Sequence, residues 1–156
     1  MKSATLLVLG LSLGLTMSAA AQQQQPTANM KIVAEKIRAD KKLLVADNMG
    51  LTEAEAVKFW PVYDAYQVDL GNIAKRTVML IKNYADSYAA MTDPTADKLL
   101  TELLTIETDR LALMKTYRPK FAAVVAAKMV TRYYQIENKI RAVVQYELAD
   151  AIPLVP

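Results

Sequence analysis

"LTEAEAVKFWPVYDAYQVDLGNIAKRTVMLIKNYADSYAAM", residues 51–91, decides the fold. Phe59, Tyr63, Tyr66, Leu70, Ile73, Thr77, Leu80, Tyr84, Tyr88 and Met91 recur almost entirely at alternating spacings of four and three. That period belongs to a helix with a coiled-coil type of seam. The stretch starts as a helix should: Thr52 is a good N-cap, and Glu55 stands three residues on, where a capping box needs it. A helix over 53–91 would be roughly 58 Å long at 1.5 Å per residue, so the spacing predicts an elongated molecule. Pro61 interrupts the rod. It removes a backbone hydrogen bond and is expected to bend the helix. Phe59, Trp60, Tyr63 and Tyr66 crowd around that bend. The seam uses tyrosine more than leucine, which suits a surface apolar at the ring and wet at the hydroxyl.

The same period continues on either side. Asn29 to Asn48 reads as a first helix, with Met30, Val33, Ile37 and Leu44 on one stripe and Gly50 placed to end it. "MTDPTADKLL" makes a turn and a new helix start, with Asp93 as N-cap and Pro94 at the first helical position. The third helix carries Leu99, Leu103, Ile106, Leu113 and Tyr117, flanked by Leu100, Leu104, Leu111 and Met114. So wide an apolar face predicts packing against more than one neighbour. Arg118-Pro119 is expected to bend or interrupt it. A fourth helix runs from about Ala127 to Ala149, with Met129, Tyr133, Ile136, Ile140 and Val143 as its stripe. No glycine or proline marks the turn before it. Ile152-Pro153 ends it and leaves the short apolar tail "IPLVP". No strand pattern competes. The expectation is all-α, four helices, one of them long and bent.

The first 21 residues, "MKSATLLVLGLSLGLTMSAAA", have the layout of a cleaved secretory signal: Lys2, an apolar run, then small residues. The run is short for a membrane span. Cleavage after Ala21 would remove Lys2 as the only charged residue there and take the formal net charge from +3 to +2. Residues 22–29, "QQQQPTAN", read as a flexible polar leader, and 30–155 as a single helical domain. Basic residues are dispersed among acids, which gives no case for nucleic acid as a partner. No stable membrane insertion is expected after signal cleavage.

The chain has no Cys and no His. An exported chain without cysteine gets no disulfide and must hold itself by packing. Without histidine there is no Ser-His-Asp or Cys-His arrangement, no HExxH zinc site and no Glu-x-x-His di-iron motif. After residue 21 the only glycines are Gly50 and Gly71, so no phosphate-cradling loop is present. Glu53, Glu55, Glu102, Glu107 and Asp109 could be imagined as a metal or acid/base group, but their spacing scatters them around the helices and reads as solvated faces. No catalytic residue, metal site or cofactor is expected. The aromatic group Phe59, Trp60, Tyr63 and Tyr66 is open to two readings, helix-packing core or a partly exposed apolar cradle for a polypeptide. Leu70 continues that face. Tyr133-Tyr134 lies on a helix that would be an ordinary amphipathic element with i,i+4 pairs, or a dimer or partner surface.

"GLTEAEAVKFWPVYDAYQ" resembles the LTxxQ-type helix start of the Spy/CpxP family of periplasmic proteins, in particular exported relatives described as sensors of ECF-type sigma factors, with an aromatic FWP-x-Y-x-x-Y segment. "RYYQIENKIRAVV" and "IPLV" look like the C-terminal helix of that group. Leu51 and Thr52 match the motif's LT; Phe59, Trp60, Pro61, Tyr63 and Tyr66 match the aromatic segment. Ala54 or Glu55 stands where glutamine is common. A second such motif, due near 124–129, is replaced by "VVAAKM", and the His and Cys ligands of metal-responsive relatives are missing. The resemblance implies a four-helix, hairpin-like fold that forms a curved antiparallel dimer in the periplasm. It implies an ATP-independent chaperone for unfolded or partly folded proteins, or a modulator of a signalling partner in envelope stress. The alternatives are an enzyme or small-ligand carrier built in the bundle from Tyr, Lys and carboxylates around a sealed pocket, and a structural helical protein whose seam is consumed in self-assembly.

Overall fold

The computed structural model describes residues 40–156. The expected signal, the polar leader and the start of the first helix lie outside the described residues. The chain divides into two units, Met1–Lys41 and Lys42–Pro156. Of the first, only Asp40 and Lys41 are described; the packing of the helices is that of the second.

The described residues are all-α, with no strand among them. α1 is described over 40–49, α2 is Glu53–Ser87, α3 is Asp93–Ala122 and α4 is Ala127–Ala151. Gly50 ends α1 with φ of 62°, the left-handed conformation that only glycine takes at no steric cost. α2 begins with the expected capping box: the Thr52 hydroxyl accepts from Glu55 N, and the Glu55 carboxylate accepts from Thr52 N at 2.9 Å. That backbone bond first, and then one donated by the Thr52 hydroxyl at 2.8 Å, lower the pKa of the Glu55 carboxyl.

Three boundaries differ from expectation. α2 stops at Ser87 and tightens into a 3-10 turn over Tyr88–Ala90, so the helix does not reach Met91. The N-cap of α3 is Thr92 rather than Asp93; its hydroxyl accepts from Thr95 N, and Asp93 becomes the first-turn acid. Pro94 is then the second helical residue, where its missing N–H again costs nothing. Pro119 lies inside α3, which runs on to Ala122. The following turn, without glycine or proline, closes by backbone bonds from Ala123 N to Pro119 O and from Val124 N and Val125 N to Phe121 O. Val125 is buried and anchors it.

Contacts set the order of the helices. Phe59 meets Phe121, Tyr66 meets Tyr117 and Arg76 meets Glu102, so α3 runs back along α2. α4 follows α2 in the same sense: Tyr63 meets Tyr133, Gln67 meets Glu137 and Tyr84 meets Pro153. Every position of the seam read over 59–91 is buried or half-buried. Among the described residues the core is thicker at one end. Val45 and Met49 of α1 join Phe59, Tyr63, Tyr66, Tyr117, Phe121, Val125, Val130, Tyr133 and Ile136 in one cluster. Farther along α2 and α3 a second cluster has only Ile73, Leu80 and Ile106 buried.

The wide apolar face of α3 is not packed as its pattern suggests. Leu100, Leu104 and Leu111 remain 54%, 59% and 52% exposed. No helix among the described residues is long and apolar enough to cross a membrane.

Candidate functional site

The aromatic segment that stood out in the sequence is built into the thick end of the core. Phe59, Tyr63, Tyr66 and Tyr133 are buried, and Trp60, Leu70 and Tyr134 are half-buried and pack against them. The rings interlock edge to face and tilted: Phe59 lies 5.4 Å from Tyr133 and from Phe121, and Phe121 lies 4.7 Å from Tyr133. Such pairs add roughly 0.5–1.5 kcal/mol each beyond the area they bury. Of the two readings of this group, packing accounts for the placement of its rings. Pro61 is exposed, with α2 continuous on both sides of it. Leu51 is half-buried against the cluster.

A buried tyrosine needs a partner for its hydroxyl, and α2 supplies two of them, Gln67 and Asp69. Gln67 donates to Tyr133 Oη at 3.0 Å and to the Glu137 carboxylate at 2.9 Å, and Tyr133 also donates to Glu137. Tyr117 donates to Asp69 at 2.6 Å, and Tyr134 donates to the Met114 carbonyl. Burial, with the Glu137 charge second, raises the pKa of Tyr63, Tyr66 and Tyr133, and takes Tyr134 up to about 12. These hydroxyls stay neutral donors and are unsuited to act as bases near neutral pH.

Three carboxylates of α3, Glu102, Glu107 and Asp109, are taken up by cations from both neighbours. Arg76 of α2 bonds Glu102 at 3.0 Å and Asp109 at 2.5 Å; Arg141 of α4 bonds Glu107 at 2.5 Å. Sequence spacing suggested plain solvated faces; the structure makes them interhelical ties, because α2 and α4 flank α3. Arg110 lies nearby with its side chain only 16% exposed and its Nε 3.9 Å from Glu107. Burial, then the charge of Arg141, lowers its pKa. Among the described residues no group of three carboxylates could hold a metal ion.

Among the concave surfaces of the described residues, two are larger than about 500 Å³. One lies where the core thins. Leu80, Ile81, Leu99, Leu103, Ile106 and Leu148 line a groove of about 530 Å³, and the tail residues Ile152–Val155 form part of its wall, tied by Tyr84 Oη donating to Pro153 O at 2.8 Å. The groove passes onto the exposed Leu100. The second, about 950 Å³, lies between the end of α1 and α4, with Leu44, Met49, Ile136, Ile140 and Val143 in its floor and Lys128, Arg132 and Lys139 beside it.

Neither surface was singled out by sequence reasoning. The α3 pattern predicts packed leucines, and the one signal it carries for an open surface is surplus: α3 has more apolar positions than two neighbours along one face can cover. Comparison of the chain with protein-family models, curated proteins and solved structures finds no match.

Proposed function

We propose that this chain is a non-catalytic, polypeptide-binding protein of the cell envelope, similar to the Spy/CpxP type: an exported, ATP-independent chaperone or stress modulator with a hairpin-like, dimeric arrangement. The observation that carries this reading is the open apolar groove of about 530 Å³ at the thin end of the core, continuous with exposed leucine on α3. A groove with an apolar lining and few fixed polar groups suits varied, weakly held apolar segments better than one oriented small molecule. Two further features support it. The Tyr117 and Tyr133 hydroxyls are occupied in the core, and Glu102, Asp109 and Glu107 are matched to Arg76 and Arg141, so neither set is poised for proton transfer. Client contact is assigned to the groove, and the aromatic segment is assigned to holding the helices that form it.

The test is light scattering by a reduced, unfolding client protein, without ATP, with and without the purified chain. Suppression at near-stoichiometric ratio is expected. Leu100→Ser with Leu103→Ser should abolish most of it while helical circular dichroism and melting stay close to wild type, because both side chains are more than two-fifths exposed. No suppression at large excess would remove the chaperone reading. Tight, saturable binding of one small apolar ligand instead would favour a carrier.

A further inference from the structure

We propose that the groove between α1 and α4 is a docking site for an acidic amphipathic helix of a partner protein. This goes beyond client binding and uses a different surface.

The argument starts from the phase of α4. Lys128, Arg132, Gln135 and Lys139 follow at spacings of four, three and four, so they form one row along the helix. Met129, Ile136, Ile140 and Val143 form the adjoining row, and Leu44 and Met49 of α1 face them across the groove. The result is an apolar floor with a basic edge, and among the described residues no acidic side chain is part of the lining. Glu55, whose carboxyl feels the Lys128 charge, is held by Thr52 N and Oγ at 2.9 and 2.8 Å. Arg132 donates to the Asn48 carbonyl at 2.6 Å, closing the end of α1 and fixing one wall. The floor opens to solvent, with Leu44 and Val143 46% and 64% exposed.

Length and charge select the occupant. From Lys128 to Val144 the groove follows roughly 24 Å of α4, about four helical turns. That matches a helix laid in a groove through residues at i, i+3 or i+4 and i+7. The basic row calls for Asp or Glu along one flank of that helix. Residues 22–39 of this chain carry Lys31, Lys36 and Arg38 against Glu35 alone and have the wrong sign. A second copy is a poor match as well: the acids beside its exposed α3 leucines, Glu102, Glu107 and Asp109, are already bound to Arg76 and Arg141.

The experiment uses fluorescent synthetic helices of about 18 residues that share one Leu/Ile stripe and differ only in flanks of Glu or Lys. Anisotropy against the purified chain should show the Glu helix binding at least roughly tenfold tighter than the Lys helix, with the difference shrinking at high salt. Lys128→Glu with Lys139→Glu should invert that preference, and Val143→Asp should weaken both helices. Lys58→Glu with Lys98→Glu, an equal charge change elsewhere, should leave the preference in place. Equal binding of the two helices, or the same loss from both charge pairs, would overturn the proposal. So would capture by anionic phospholipid vesicles through Lys128 and Lys139 in preference to the Glu helix. Client suppression is read separately, so its failure leaves this result standing.

Discussion

At Tyr133 the ring is fully buried against Phe59, Tyr63, Tyr66 and Phe121, yet the hydroxyl is held between Gln67 and Glu137. A core made this way is tied to the neutral form of its tyrosines. The folded-state pKa of Tyr134 is about 12 against an ordinary 10.0, and those of Tyr63, Tyr66 and Tyr133 are also raised. A raised pKa means the unfolded state loses its protons first. Stability from these groups is therefore intact below about pH 10 and falls as pH climbs toward 12 and beyond. Tyrosinate absorbance from the buried rings should rise together with loss of helical circular dichroism; free titration in an intact helix would contradict it.

Arg110 gives a prediction of opposite sign. Its guanidinium is mostly buried beside Arg141, its Nε has no hydrogen-bond partner, and its pKa is lowered by that burial first. Replacing a buried charge by an apolar side chain of similar volume is often neutral or stabilising. Arg110→Met should leave stability unchanged or raise it by up to about 1 kcal/mol in urea unfolding, the attraction of Glu107 limiting the gain. Arg141→Met, which strips the 2.5 Å bond from Glu107, should lower it. The tyrosine phase was legible in the sequence. The hydroxyl partners were not, because Tyr117 and Asp69 lie 48 residues apart and Gln67 and Tyr133 lie 66 apart; no periodicity within one helix reports on a bond between two.

Among the elements, starts and stops were legible where one side chain decides them. Thr52 with Glu55 and Gly50 act locally and are read locally. The start of α3 was misplaced by one residue because Thr92 and Asp93 are both good caps, and only the backbone distinguishes them: Thr92 is extended at ψ 155°. The α3–α4 turn carried no signal, since its anchor is the burial of Val125 against other helices. Pro61 remains the element with a stored cost. It is exposed about two turns into α2 and withholds the donor that the Val57 carbonyl would otherwise accept. Pro61→Ala restores that bond without leaving a cavity and should raise stability by up to about 3 kcal/mol, seen as a higher urea midpoint at unchanged slope. A lower midpoint would mean that the helix path set by Pro61 is needed by the aromatic packing beside it.

For the described unit as a whole, the uneven core sets what is left to do. The end built from α1 and the aromatic rings is closed; along the rest, three buried residues hold α2 to α3. Leu104 and Leu111 stand outside both the groove and the core, more than half exposed. Burying a leucine contributes roughly 1.5–3 kcal/mol, so pairing this row across two copies would be a strong driving force. The proposed dimer therefore belongs on α3, with the groove and its Leu100 and Leu103 left to clients. Sedimentation equilibrium should find a dimer, and Leu104→Glu with Leu111→Glu should convert it to a monomer of unchanged helical content. Client suppression by that monomer should persist, because the groove is intact. A wild-type chain that is monomeric at every concentration would remove the dimer and return Leu104 and Leu111 to the client surface. Loss of suppression together with the dimer would show that clients require both copies, with the groove of one chain insufficient alone.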